Sequence, residues 1–339
     1  MYLAQNSRYG TKRCFSSMLP GRDTAKFFLY SGISVRKEMK LLANTTLERT
    51  LISSLTMLKY GNSTSAKEKE CKFTDKLTNA FIESRSYLET MNEKPIRERL
   101  VEHGETLFNA PKKIIEFTGV MAADDLLNDL AKHPHAFVLA CVMDRQIKAE
   151  KAWLIPYEIS KKLKGFSIKL LSELSKKEVN QLMKEPEPLH WLVNMMSGFF
   201  YSNVQRIKNQ YYGDASGIWT GKPSSAEVVY RFLEFDGIGP KIATMAANIL
   251  ARDFKILFSD YFSIEISADA HVRRVFSRLG LCSENATVEQ VIFKAKALHP
   301  EFPGIMDLPC WEIGRNWCKP RSPICSECYM NNICPTAAK

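Results

Sequence analysis

Four cysteines crowd the end of this 339-residue chain: Cys318, Cys325, Cys328 and Cys334, separated by six, two and five residues. Four thiolates so close in sequence can wrap one compact metal centre. Zinc sites usually pair two Cys-x2-Cys knuckles across a longer gap, and only one such knuckle is present here. The run therefore points to a [4Fe–4S] cluster, with zinc and unligated thiols as the alternatives. Lys319 and Arg321 fall in the first loop between cysteines, where a rigid centre could present them to phosphates. Upstream, Asp269-Ala270-His271 opens a stretch in which Val272, Val275, Phe276 and Leu279 share one helix face and Gly280 supplies the stop. Asp269 sits where an N-cap would. It is either a cap and nothing more or a carboxylate held in its charged form at a helix start. Further upstream, Gly237-Ile238-Gly239 separates two apolar periodicities and is followed by Lys241. Glycines there permit a tight turn and leave backbone N–H groups uncovered at a helix start, where an anion such as a DNA phosphate is attracted.

The elements that must position these groups are helical. Before the glycines, Ala226, Val229, Tyr230 and Leu233 recur at helical steps; after them Ile242, Met245, Ala246, Ile249 and Leu250 do the same. Ser224 and Glu227 have the spacing of a capping box at the start of the first helix. Phe137–Met143 is a continuous apolar run, long enough for a buried strand or part of a buried helix, and it ends abruptly on Asp144-Arg145-Gln146. Such a polar triplet can line a cleft or be an ordinary helix exit. Ala149, Ala152, Trp153 and Ile155 then resume an apolar face. An aromatic-rich segment, Asp253–Ile266, separates the hairpin from Asp269. Residues 41–60 and 73–92 read as helices around a polar loop. Residues 1–25 are basic and serine-bearing with no acid before Asp23, the composition of a mitochondrial transit peptide or of a plain basic tail.

Composition narrows the partners. A 45% hydrophobic content supports a real core, and a net charge of +10 favours an anionic partner, nucleic acid first. No apolar run reaches the roughly eighteen residues that would span a membrane. Of nine cysteines, those outside the C-terminal run are scattered, which suits an intracellular metal site better than a secreted disulfide framework.

Taken in order, helix–Gly-Ile-Gly–helix with Lys241, Asp269-x-His271 and the cysteine run resemble the helix-hairpin-helix (HhH-GPD) DNA glycosylase superfamily, in its endonuclease III-like branch with an iron–sulfur loop. The family's Leu-Pro-Gly-Val-Gly-x-Lys-x-Ala corresponds to Phe235–Ala243, its Val-Asp-x-His-Val-x-Arg-Val to Ala268–Val275, and its cysteine spacing is the same. The resemblance implies an all-α, two-lobed fold over residues 96–339, with the hairpin at about 226–252 and the cluster loop at 318–334, preceded by a helical extension over 1–95. It implies a base-excision enzyme acting as a monomer on duplex DNA that contains a damaged, mismatched or modified base. Lys241 would be a Schiff-base nucleophile seated where the helix dipole works against an ammonium. Asp269 would stabilise the sugar cation, and Arg145 or Gln146 would fill the gap left by the flipped base. Two departures bear on the substrate: Lys241 and Asp269 are farther apart than is usual in that branch, through the 253–266 insertion, and the N-terminal extension is long. A glycosylase without lyase activity, and a non-catalytic or redox-sensing iron–sulfur DNA binder, are the competing functions. The compartment would be the cytoplasm in a prokaryote, the nucleus or mitochondrion in a eukaryote.

Overall fold

A computed structural model describes residues 93–337, and among these there is no strand. The features expected over 1–25, 41–60 and 73–92 lie outside the described residues. The helices are α1 over 93–109, α2 Met121–Asn128, α3 Pro134–Met143, α4 Ala149–Leu163, α5 Ile168–Glu173, α6 Lys176–Lys184, α7 Val193–Gln210, α8 Ser225–Leu233, α9 Pro240–Arg252, α10 Ala270–Arg278, α11 Val288–Leu298 and α12 Asp307–Asn316. A short 3-10 turn at Pro303–Met306 precedes α12.

They pack in two sets. The first gathers α2–α9 around α3, every residue of which is buried. The Phe137–Met143 run is thus a core helix, as its lack of any polar face demands. The second set comprises α10, α11, α12 and the Pro303–Met306 turn. The first described helix joins this second set: His103 Nε2 lies 3.0 Å from Glu312 Oε2, and Lys294 Nζ donates to Glu93 at 2.6 Å. A side chain at Gly104 would run into the Ile305 carbonyl, so α1 sits flush on the turn.

The first hairpin helix turns a different face inward from the one its periodicity suggests. Val228 and Phe232 are buried, whereas Ala226 and Tyr230 are exposed, and Leu233 largely so. Phe232 lies against Phe235, on which Tyr211 stacks, and that side of the helix packs on α9 and the Ala215–Ile218 turn. Only half of the expected capping box forms. Ser224 Oγ accepts the Glu227 N–H at 3.1 Å, but the Glu227 carboxylate takes Arg231 Nε at 2.9 Å instead of turning back. The second hairpin helix buries Ile242, Ala246, Ile249 and Leu250, as its spacing predicts.

Candidate active site

The turn Glu234–Gly239 joins α8 to α9. Gly237 has φ +88°, in the left-handed region, and an added Cβ would strike the Phe199 ring, so glycine is required twice over there. Gly239 is different: it caps α9 with an extended φ of −102° and nothing lies near its would-be Cβ. Its surface is open to close approach, beside the uncovered N–H groups of the α9 start. Ile238 is buried between the helices. The turn is fastened by a residue whose role the sequence does not announce. Buried Asn203 on α7 donates to Asp236 O at 2.8 Å and accepts the Asp236 N–H at 2.9 Å. Asn203→Ala strands both backbone groups in the interior. It should cost about 1–3 kcal/mol, read as a lower urea midpoint with unchanged slope.

Lys241 is the second residue of α9 and is exposed. Asp269 is the N-cap of α10, its Oδ1 accepting the N–H groups of His271 at 2.8 Å and Val272 at 2.9 Å. One short segment holds these two helix starts in register. Two turns along α9, Asn248 Nδ2 donates to Gly304 O at 2.9 Å. Gly304 N in turn donates to Ile264 O at 2.7 Å, and no side chain would fit at Gly304. Three residues later, buried Asp307 accepts the Ser267 N–H at 2.7 Å, and Asp269 N donates to Ser267 O at 2.6 Å. Both helices are therefore tied to the same Gly304–Asp307 corner. Burial pushes the Asp307 carboxyl up to about 6; the Ser267 bond and Arg252 oppose the rise, and the Asp269 charge adds to it.

A third group faces the pair. Asp144 stands just past the end of α3, and it feels both Lys241 and Asp269. Burial pushes its carboxyl up, Lys241 pulls it down, and Asp269 and Glu150 add to the rise. In the sequence Asp144 stands only as the first member of a polar triplet. The signal was there: a carboxylate at the C-terminus of a wholly apolar helix opposes the dipole and burial together, and such a placement is seldom structural. Glu150 is held low by a 2.7 Å hydrogen bond from Arg315, whose guanidinium lies 4.8 Å from the Trp311 ring centroid.

Arg145 and Gln146 continue from Asp144 as a fixed turn. Gln146 is exposed and has φ +54°, a left-handed conformation that costs a non-glycine residue on the order of 1 kcal/mol or more. Their carbonyls are held from α7's leading edge: His190 Nε2 lies 3.0 Å from Arg145 O and Trp191 Nε1 donates to Gln146 O at 2.9 Å. His190 Nδ1 accepts the Leu192 N–H, which assigns the ring proton to Nε2.

The cysteines sit at the other end of α10. Arg274 donates to Cys318 O at 2.7 Å and to Gly314 O at 2.9 Å. Arg278 reaches Cys318 Sγ at 3.3 Å, Lys319 O at 2.6 Å and Pro320 O at 3.0 Å. Arg273 bonds Ala286 O at 3.1 Å. The three arginines are thus ties between elements, where periodicity shows only a polar face. Cys318, Cys325, Cys328 and Cys334 line one cavity with Arg278, Trp317 and Met330. Among the described residues no three His, Cys, Asp or Glu side chains converge as they would on a single metal ion. Arg278 lies nine residues along α10 from Asp269, about 13 Å at 1.5 Å per residue, and Arg274 five residues, about 7 Å. The cysteine loop therefore braces α10 without reaching the Asp269 carboxylate. Lys319 turns its ammonium back to Arg315 O, while Arg321 is exposed. Asp144 is coupled through its charge to both Lys241 and Asp269; Gly237–Gly239 and Arg145–Gln146 adjoin Lys241 and Asp144 in the chain; Lys319 and Arg321 belong to the cysteine loop.

No family model matches the chain. Curated endonuclease III proteins do. The one from Thermotoga maritima is 29% identical over 155 residues, 44% of this chain and 64% of its own length. The one from Synechocystis is 27% identical over 160 residues, 40% of this chain and 65% of its own. Endonuclease III-like protein 1 of Gallus gallus is 27% identical over 157 residues, 42% of this chain and 47% of its own. The chain spans just under two thirds of the first two relatives. A solved thermostable thymine-DNA glycosylase aligns over 73% of this chain and 98% of its own, with a TM-score of 0.49 and 17% identity. Among the described residues no helix is long and apolar enough to cross a membrane. By these sequence relationships the chain, which carries the hairpin, Asp269 and the cysteine run, is similar to endonuclease III proteins.

Proposed function

We propose that this protein excises a damaged or modified base from duplex DNA and nicks the strand through Lys241. The observation that carries it is the pairing of two helix starts, one bearing an exposed amine and the other a carboxylate, locked to one corner and faced by Asp144. Asp144, whose carboxyl is coupled electrostatically to Lys241, would take the proton that the amine loses. The free Nζ then forms a bond to C1′ as the C1′–N bond breaks, and the base leaves with the bonding pair and gains a proton. Asp269 offsets the positive charge that grows on the sugar. Opening of the ring at C1′–O4′ leaves an imine. Loss of a C2′ proton expels the 3′ phosphate, and water releases the enzyme. The hairpin turn and the chain's +10 charge supply phosphate contacts, and Arg145 or Gln146 enters the space of the flipped base. In this reading the partner is lesion-bearing duplex DNA, bound by a monomer through the part that follows the 1–95 extension. Incubation with a panel of duplexes carrying one lesion each, or an abasic site, tests it under borohydride. A covalent adduct on at least one duplex is the expected result; no adduct, no base release and no nick on any of them removes the proposal.

The four thiols fit a [4Fe–4S] cluster. They line one cavity, their six-two-five spacing offers only one Cys-x2-Cys knuckle, and Arg278 already donates to Cys318 Sγ. Cys318, Cys325, Cys328 and Cys334 would hold it, and it would serve as a brace, its redox capacity lying away from the sugar. Purified without oxygen, the protein should be brown, with a broad visible absorption and about four irons per chain. Stoichiometric zinc with no visible absorption is the contrary outcome.

A further inference from the structure

We propose that the exposed indole of Trp191 is a stacking platform for an unstacked nucleobase at the opened step of the duplex. The inference rests on the DNA-opening reading above and adds to it a residue that nothing in the family resemblance marks. Trp153 and Trp219 are buried, whereas Trp191 leaves 64% of its surface to solvent. It is nevertheless not loose. Its N–H donates to Gln146 O at 2.9 Å, and the preceding side chain, His190, is almost wholly buried with Nε2 3.0 Å from Arg145 O. Two consecutive side chains thus hold two consecutive carbonyls of the polar turn. The indole and the turn move as one piece, and the edge bond fixes the ring while its face stays free. A face held in this way loses little freedom when something stacks on it.

The chemistry around it selects the occupant. Arg145 and Lys148 flank the turn, favouring a polyanion over an apolar peptide. A nucleobase offers a π-face of matching size, and stacking on an aromatic side chain is tolerant of base identity. In an intact duplex both faces of each base are already covered. A base is available to Trp191 only where the stack is broken, next to a flipped nucleotide or an abasic gap. The platform therefore adds affinity for opened DNA and none for intact DNA, which makes it a device for finding the lesion.

Two substitutions in the full-length protein separate the ring face from the ring N–H. Trp191→Phe keeps an aromatic face and loses the donor; Trp191→Gln keeps a donor and loses the face. Binding is measured on two duplexes, one undamaged and one with a stable abasic-site analogue, together with tryptophan emission during each titration. Wild type should prefer the abasic duplex, and its emission should fall on binding more than that of Trp191→Phe. Trp191→Phe should keep most of the preference. Trp191→Gln should lose roughly five- to hundredfold of it with its affinity for undamaged duplex unchanged. If Trp191→Gln matches wild type and Trp191→Phe does not, the indole only anchors the turn and the proposal falls. If both match wild type, Trp191 is a bystander. If wild type itself binds neither duplex, the DNA reading fails first, visibly, before any variant is compared.

Discussion

Lys241→Ala should bind duplex DNA, stay folded and leave no covalent adduct under borohydride. The side chain is exposed at the start of α9, so its removal opens no cavity in the core. In the proposed mechanism it removes the amine that forms the bond to C1′, and without an imine there is nothing for borohydride to reduce. The strand nick should vanish with the adduct, because elimination proceeds from the imine. Three results discriminate among roles. If the adduct persists, another amine is the nucleophile. If base release continues and only the nick is lost, water replaces the amine and the enzyme is a glycosylase first. If the adduct survives but binding weakens evenly across sequences, with the salt dependence reduced by about one charge, Lys241 is a phosphate contact. A companion measurement on Asp144→Asn asks whether that carboxyl takes the proton. The variant keeps the shape of the residue and should slow adduct formation while leaving duplex binding unchanged.

Much of this site is written locally. The Gly237 turn, the burial of Ile238, the inward face of α9 and the Asp269 cap all follow from residues within one or two turns of each other, and those features stand in the structure as the spacing implies. Where the choice depended on distant neighbours, local pattern was insufficient. The face that α8 buries packs on Phe235, α9 and the Ala215–Ile218 turn, which lie beyond the helix itself. Phe137–Met143 admitted strand or helix until its surroundings excluded water from every side. The bonds that set Lys241 against Asp269 join residues far apart in the chain: Asn203 to Asp236 across 33 positions, Ser267 to Asp307 across 40, Asn248 to Gly304 across 56. Each is a polar residue of ordinary type, and nothing in its own neighbourhood announces a buried partner. Asp144 is the intermediate case, since a carboxyl at the end of an apolar helix is locally anomalous even though its partners are remote.

Asp269→Asn should bind, melt close to wild type and excise far more slowly. Asp269 does two jobs through the same carboxyl. As an N-cap, its Oδ1 accepts two backbone N–H groups. As an anion, in the proposed mechanism, it would offset the positive charge that grows on the sugar as the base departs. Asparagine is a capping residue of equal rank, and its amide oxygen can accept the same two N–H groups. The cap is kept, and the loss of charge at this partly buried helix start costs about 1 kcal/mol and at most about 2. A cost confined to the transition state is another matter: removing one preorganised electrostatic contact there typically slows the chemical step by about a hundredfold or more. Rate and stability should thus part company in this variant. Asp269→Ala sets the scale for the other function, since it loses both cap and charge and should fall by about 1 kcal/mol more in stability. Single-turnover excision with excess enzyme, beside thermal melts of the same preparations, reads the two quantities separately. Should Asp269→Asn excise as fast as wild type while Asp269→Ala only melts earlier, the carboxylate is a helix cap, and the charge that meets the sugar must come from Asp144 instead.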